Sequence, residues 1–391
     1  MEFSRWRNIF VILVMAVALA AGISFALNNF TNQVVAVSEA QNAINNPSQT
    51  LELPSLLPPK KLSNPPAVIK SIYVTGYSAG TKSYLNYLSS VFKNTEINSV
   101  VIDIKGSDGY VSYGSTLPDV KKYNLSNYAI KDINALIEFL HSQNIYVIGR
   151  IAVFEDPVYS RARPELAIYN KEKTNNDGLV LWKDNNGLSW LDPSSKDAWN
   201  YIVSLANDAF FNHGFDEVNF DYVRFPTDGN MENIGFPIWD GVTAKAEVIK
   251  GFFTYARQQL SGQKISVDLF GQTTTSLDDM GIGQVIENAF GNFDYICPMV
   301  YPSHYAKGFV GFENPAIHPY GVVKYSMDSA FARLPTAKFR PWLQDFNMGA
   351  VYTAEMVKQE IQATQDSLGE NYFGFMLWNS SNIYTQGAVL K

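Results

Sequence analysis

"EVNFDYVRFP", residues 217–226, begins as an apolar strand and finishes on Asp221, Tyr222, Arg224 and Pro226. Burying a charge costs several kcal/mol unless it is paired or put to use. A carboxylate and a guanidinium where an apolar run gives way to a loop suit a barrel whose strand ends carry the chemistry.

Working outward, seven further runs of the same kind appear in order. With the first they read "SIYVTGY" (71–77), "SVVIDIKG" (99–106), "IYVIGRIAVF" (145–154), "EVNFDYVRF" (217–225), "KISVDLFG" (264–271), "DYICPMVYP" (294–302), "FRPWLQDF" (339–346) and "FGFMLWN" (373–379). Helical segments lie between them. "IKDINALIEFLHSQN" (130–144) places Ile133, Leu136, Ile137 and Leu140 on one face, and "AEMVKQEIQATQDSLG" ends at Gly369, a residue suited to a helix C-cap. Eight strands with intervening helices over about 320 residues predict an α/β protein, a single (β/α)8 TIM barrel with enlarged loops. Two smaller α/β domains are the weaker alternative. Between the third and fourth strands, "GLVLWKDNNGLSWLD" reads as a β-hairpin turning at Asn186-Gly187, with Trp182 and Trp190 beside it. Such an excursion is placed to wall a cleft.

The first 68 residues differ in kind. "IFVILVMAVALAAGISFAL" (9–27) is an uncharged run just long enough to span a bilayer, preceded by Arg5 and Arg7. It predicts a transmembrane anchor with the bulk of the chain outside the cytoplasm, or a secreted protein if "ALA" (18–20) is a cleavage site. The expected divisions are 1–30, the anchor or signal segment; 31–68, a Pro-, Asn- and Ser-rich flexible linker; and 69–391, the barrel.

Composition narrows the function. With 46% hydrophobic residues in 391, the chain can bury a large core. Thirty Lys and Arg against 37 Asp and Glu give a net charge of -7, and no basic run exceeds Lys60-Lys61, which argues against nucleic acid and favours a neutral or cationic partner. One cysteine, Cys297, and four scattered histidines offer no zinc-ligand spacing, so neither metal nor organic cofactor is expected. The 22 Tyr, 25 Phe and 7 Trp exceed what a core needs, and stacking on sugar rings is one use for the surplus.

The strand ends supply Asp103 and Lys105, Arg150, Asn219, Asp221 and Arg224, Asp268, Tyr301 and His304, Trp342, Gln344 and Asp345, and Trp378. Alternation puts Asn219 and Asp221 on one face and Ser266 and Asp268 on another, so two aspartates face the barrel mouth from adjacent strands. Glycoside hydrolysis needs such a pair, about 5–5.5 Å apart in retaining enzymes and wider in inverting ones. One carboxyl must stay protonated while the other is ionised, with Arg224, Lys105 or Arg150 steadying the anion. Blander roles stand beside these. Asp221 could pair with Arg224 or cap a helix, and Asp103 could pair with Lys105. Asp345, of opposite parity to Trp342 and Gln344, could cap or support; His304 could touch substrate or pack its loop. Trp342 and Trp378 are sugar platforms or packing, and Glu155 and Asp156, before Pro157, are expected in solvent.

Taken together, "GRIAVFEDP", "RPELAIYN", "GFDEVNFDYVRFP", "SVDLFG", "PMVYPSHY", "RPWLQDF" and "FMLWNSSNIYT" resemble a family of bacterial and archaeal glycoside hydrolase domains related to α-amylase-type barrels. The resemblance runs over about residues 70–388. It implies a (β/α)8 fold acting on glycosidic bonds, with the nucleophile after the fourth strand matched by Asp221 and the acid/base after the fifth by Asp268. Asp345 is the nearest counterpart of the third carboxylate after the seventh strand. This chain departs from amylases in carrying Asp268 where Glu is usual and Asn219 where an arginine precedes the nucleophile.

The expected function is therefore an exported, membrane-tethered glycosidase acting on an envelope or extracellular polysaccharide, with retention of configuration implied by the resemblance. Asp221 and Asp268 are the catalytic pair. Asp103, Lys105, Arg150, Asn219, Arg224, Tyr301, His304, Trp342, Gln344, Asp345 and Trp378 are the expected substrate contacts. A non-catalytic carbohydrate-binding barrel is the alternative, and a metal-dependent envelope hydrolase or deacetylase is disfavoured by the shortage of histidines.

Overall fold

In the computed structural model, which describes residues 60–175 and 178–391, the eight apolar runs pair edge to edge. They form β1 (Ile69–Val74), β2 (Ser99–Lys105), β3 (Tyr146–Ala152), β4 (Glu217–Asp221), β5 (Ile265–Phe270), β6 (Tyr295–Met299), β7 (Trp342–Gln344) and β8 (Gly374–Trp378). Each is parallel to its barrel neighbours, and β1 pairs with both β8 and β2, so the sheet closes into the expected (β/α)8 barrel. The ladders stop short of the apolar runs. After β4, for instance, Tyr222 takes φ +54 and turns the chain away immediately beyond Asp221.

The helices between and after the strands include α1 (Lys82–Asn94), α2 (Ile133–Ser142), α3 (Lys196–Asn212), α4 (Lys245–Gln259), the single turn α5 (Ile286–Ala289), α6 (Pro319–Arg333) and α7 (Ala354–Leu368), besides short helices at Gly76–Ala79, Pro118–Lys122 and Pro157–Ala162. Asp132 starts α2 by accepting from the Ala135 amide at 2.9 Å, and the predicted apolar face is the one buried. Thr353 caps α7, which ends at Gly369 with φ +51. Beyond β8 the chain runs back to α1, where Leu390 bridges Thr95 and Glu96 donates to the Val389 carbonyl at 2.8 Å.

Most apolar burial lies between strands and helices. Inside the barrel the apolar cluster is small, with Val101, Ile148, Cys297 and Met376 at its centre. The remaining interior is polar, whereas branched apolar residues usually fill such barrels. Glu217 accepts from Ser266 Oγ at 2.5 Å and Tyr146 Oη at 3.2 Å and pairs with Arg340, and Ser71 donates to Ser99 at 2.7 Å.

Three expectations need correction. The turn at Asn186-Gly187 is present, with Gly187 at φ +79, but the two arms do not form a hairpin ladder. Ile168 lies between them, accepting from the Trp182 amide at 3.0 Å and donating to the Trp190 carbonyl at 2.9 Å. The end of the expected linker is docked on the domain: Leu62 donates to Asp216 at 2.7 Å and Lys61 to Gln263 at 2.6 Å. Finally, β2 is irregular between Asp103 and Lys105, which sets Lys105 opposite Ile151 and parts it from Asp103, its expected partner. The apolar run 9–27 lies outside the described residues, among which no helix is long and apolar enough to cross a membrane.

Candidate active site

Arg150 organises the mouth. It sits opposite Asp103 on β2 and Asn219 on β4, so its guanidinium reaches a carboxylate on each side. Nη1 donates to Asp103 Oδ1 at 2.7 Å, while Nη2 and Nε donate to Asp221 Oδ2 at 2.6 and 3.1 Å. Burial works against its charge, but Asp221 and Asp103 outweigh it and raise its basicity further. Asp103 Oδ2 also accepts from Tyr73 Oη at 2.6 Å, and Asp221 Oδ1 from the Tyr222 amide at 2.6 Å. Every donor aimed at Asp221 is thus an N–H, as suits an acceptor-only carboxylate. The left-handed backbone of Tyr222 that supplies one of them costs about 1–3 kcal/mol, a form of strain that clusters at functional sites.

A second network lies deeper. Asp268 Oδ1 accepts from Asn219 Nδ2 at 2.8 Å and Trp342 Nε1 at 2.7 Å, and Oδ2 is buried with no partner among the described residues. Burial first, and the negative charge of Asp221 second, push the Asp268 carboxyl well above the usual carboxylate range. Its two N–H donors pull the other way without reversing the shift. An uncharged carboxyl therefore lies within the electrostatic reach of Asp221, the environment-set division of roles that two-carboxylate chemistry uses. Asp268 is 1% exposed, however, and lies below the cavity surface.

Above these networks opens a cavity of about 480 Å³ lined by Arg150, Asp221, Arg224, Tyr301, His304 and Trp378 and walled further by Tyr222, Phe270 and Trp342. A volume of this order and an aromatic wall with few polar groups suit a small ligand or one or two sugar rings. One face of Trp378 is covered by Tyr73, with ring centroids 4.0 Å apart and planes 17° apart. Trp342 meets the edge of Trp378 at 5.6 Å and is almost wholly buried, so it positions Asp268 and leaves no open face for a sugar. His304 is exposed beside Tyr301 and Phe346, and partial withdrawal of its ring from water lowers its basicity. Burial raises the Tyr301 phenol.

Several residues fall elsewhere than expected. Lys105 is fully buried behind β2 and pairs with Asp156 at 2.9 Å, so it neither meets Asp103 nor faces the cavity. Asp156 is buried too and caps the turn at Pro157, accepting from the Val158 and Tyr159 amides at 3.1 and 2.8 Å. Gln344 accepts from the Ser303 amide at 3.1 Å and donates to the Phe346 carbonyl at 2.9 Å, which uses it as loop support. Asp345 accepts from Thr385 N and Oγ1 at 2.8 and 2.6 Å and is likewise a support, with burial raising its carboxyl to about 6. Asn219 bonds Ser266 and Asp268 and is fully buried, so it positions the acid. Arg224, read as the partner of Asp221, donates to the Phe225 carbonyl and Thr227 Oγ1 instead.

Glu155 was expected in solvent and is buried. Burial, then a hydrogen bond with Asp184, push its carboxyl up to about 8. Its one sequence signal was its place at the end of the third apolar run. Tyr73 and Tyr222 also belong to the mouth, and nothing in the sequence set them apart from the other tyrosines. Among the described residues no cluster of three or more His, Cys, Asp or Glu is placed to hold a metal ion.

Residues 71–384 match the model of the family described as "Putative glycosyl hydrolase domain". Among solved structures, a hypothetical protein from Ruminiclostridium thermocellum is 38% identical over 50% of this chain and 96% of its own, with a TM-score of 0.45. Alpha-L-fucosidase isoenzyme 2 from Paenibacillus thiaminolyticus is 12% identical over 82% of this chain with a TM-score of 0.55, a likeness of fold. That match takes in 48% of the fucosidase, so the chain spans about half its length. No curated protein matches the chain. The family model covers most of the sequence and coincides with the barrel, and the chain belongs to this family of glycosyl hydrolase domains.

Proposed function

We propose that the barrel cleaves glycosidic bonds of an envelope or extracellular polysaccharide, with Asp221 as nucleophile and Asp268 as acid/base. Residues 9–27 would hold it outside the cytoplasm as an anchor, or direct its secretion if cleaved. The observation that carries this reading is the pairing of unlike carboxyls: Asp221 on the cavity surface, served only by N–H donors, and Asp268 nearby, kept protonated by burial. Asp221 would attack the anomeric carbon as the Asp268 proton passes to the leaving oxygen. Water, deprotonated by Asp268, would then displace the sugar from Asp221 and restore both groups. The Arg150 guanidinium would release charge density as the Asp221 ester forms and take it back as it breaks.

A panel of α- and β-linked glycans assayed for reducing-sugar release with the full chain tests this. Asp221→Asn should lower turnover by at least about a thousandfold. An unchanged rate in that variant would remove Asp221 from the mechanism. The recessed position of Asp268 favours a second reading, a tethered carbohydrate-binding barrel without turnover. Saturable glycan binding with no release of reducing ends by the wild type would select it.

A further inference from the structure

Arg224 follows β4 by three residues, and its guanidinium is enclosed by aromatic rings. The Trp190 and Phe270 centroids lie 4.8 Å away and that of Tyr222 5.4 Å away. The side chain is 8% exposed, and what is exposed lines the cavity. Only Nη1 is engaged, donating to the Phe225 carbonyl at 3.2 Å and Thr227 Oγ1 at 3.3 Å. Nε and Nη2 have no acceptor among the described residues, and Arg224 forms no ion pair there, whereas Arg150 forms two.

The neighbouring acids do not serve it. Glu155, Asp221 and Asp228 act on it through space, and none of them reaches it with a hydrogen bond or ion pair; Asp221 is held by Arg150 and the Tyr222 amide, and Glu155 bonds Asp184 through one oxygen and leaves Oε2 buried without a partner. A guanidinium withdrawn from water without a counter-ion is costly. Ring faces offset part of that cost from above and below, yet leave the in-plane N–H groups unused. Those groups form a planar fork that matches the oxygens of a carboxylate or phosphoester.

We propose that Arg224 binds a negatively charged substituent on the sugar, so that the substrate class is an acidic glycan bearing a carboxylate or a phosphoester. This rests on the reading of the cavity as a glycan site. The net charge of -7 favours a neutral or cationic partner only when the whole surface is summed. At the cavity wall the Asp221 charge is matched by Arg150, and the desolvated Arg224 guanidinium counts for more than surface carboxylates screened over about 8 Å in physiological salt.

The test is a titration of the full chain with D-glucuronate, D-glucose 6-phosphate and D-glucose, followed by tryptophan fluorescence, in wild type, Arg224→Gln and Arg224→Lys. At least one acidic sugar should bind about tenfold or more tightly than glucose in the wild type. That preference should vanish in Arg224→Gln and return in part in Arg224→Lys, with thermal midpoints of the variants confirming that both are folded. Whichever acid is preferred identifies the source of the charge. Equal binding of the three sugars, no saturation with either acid, or a preference that survives in Arg224→Gln would overturn the proposal. Failure of the glycosidase reading looks different. Acid preference without hydrolysis of any glycan would remove turnover and keep the anion site, while hydrolysis of a neutral glycan with no acid preference would do the reverse.

Discussion

Arg150 meets two carboxylates from two strands with one guanidinium, and both are buried. Removing one partner from a buried ionic group costs about 3–5 kcal/mol, because the remaining charge stays unpaired. Arg150→Gln should therefore lower the unfolding free energy measured in urea by an amount of that order and reduce turnover more than Arg224→Gln does. A free energy within about 1 kcal/mol of wild type would show that water can replace the guanidinium there. The sequence offered Arg224, Lys105 and Arg150 as cations for Asp221 and favoured Arg224, which is nearest along the chain. Strand register decides otherwise. Arg150 stands opposite Asn219, two residues before Asp221 on the neighbouring strand, and from there its guanidinium reaches the Asp221 carboxylate.

At the level of elements, all eight strands and the two quoted helices were legible, because each combines an apolar run with punctuation by turn or cap residues. Departures from period two were not. The irregularity in β2 leaves no mark on "VIDIKG" and yet carries Lys105 to the far side of the sheet. Its ion pair with Asp156 is wholly buried, so Lys105→Met should cost about 3–5 kcal/mol in thermal or urea unfolding. Lys105→Met with Asp156→Asn should recover much of that loss; a double variant no better than the single one would show that Lys105 contributes by packing alone. The segment after β3 makes a further prediction through Glu155, whose carboxyl is raised to about 8 in the folded chain. Between an ordinary carboxyl value and 8 the native state keeps a proton that the unfolded chain has released, so stability falls as pH rises through that window. Glu155→Gln should match wild type near pH 4 and exceed it near pH 9 by several kcal/mol in unfolding free energy measured in urea. An equal gap at both values would assign the effect to shape.

Taken as a whole, the molecule places its chemistry inside its own core. The strand ends and the barrel interior share one set of hydrogen bonds, and the segment after β8 completes the set at the mouth. Asn382 accepts from Thr75 N and Oγ1 at 3.0 and 2.9 Å and donates to the carbonyls of Tyr73 and Asn379 at 3.4 and 3.0 Å. Tyr384 donates to the same Tyr73 carbonyl, and Thr385 holds Asp345. Asn382→Ala should lower stability by about 1–3 kcal/mol and lower turnover with it, although the residue lies outside the cavity wall. Hydrogen exchange should show faster opening at the β1 end in that variant, and unchanged exchange there would separate the segment from the mouth. None of this could be read from "SSNIYT", since hydrogen bonds across the whole chain length leave no local pattern. The Tyr73 that supports Asp103 and the Asn382 that grips its carbonyl are 309 positions apart. A ribosome must therefore synthesise nearly the whole barrel before the mouth can close its hydrogen bonds and take its working shape.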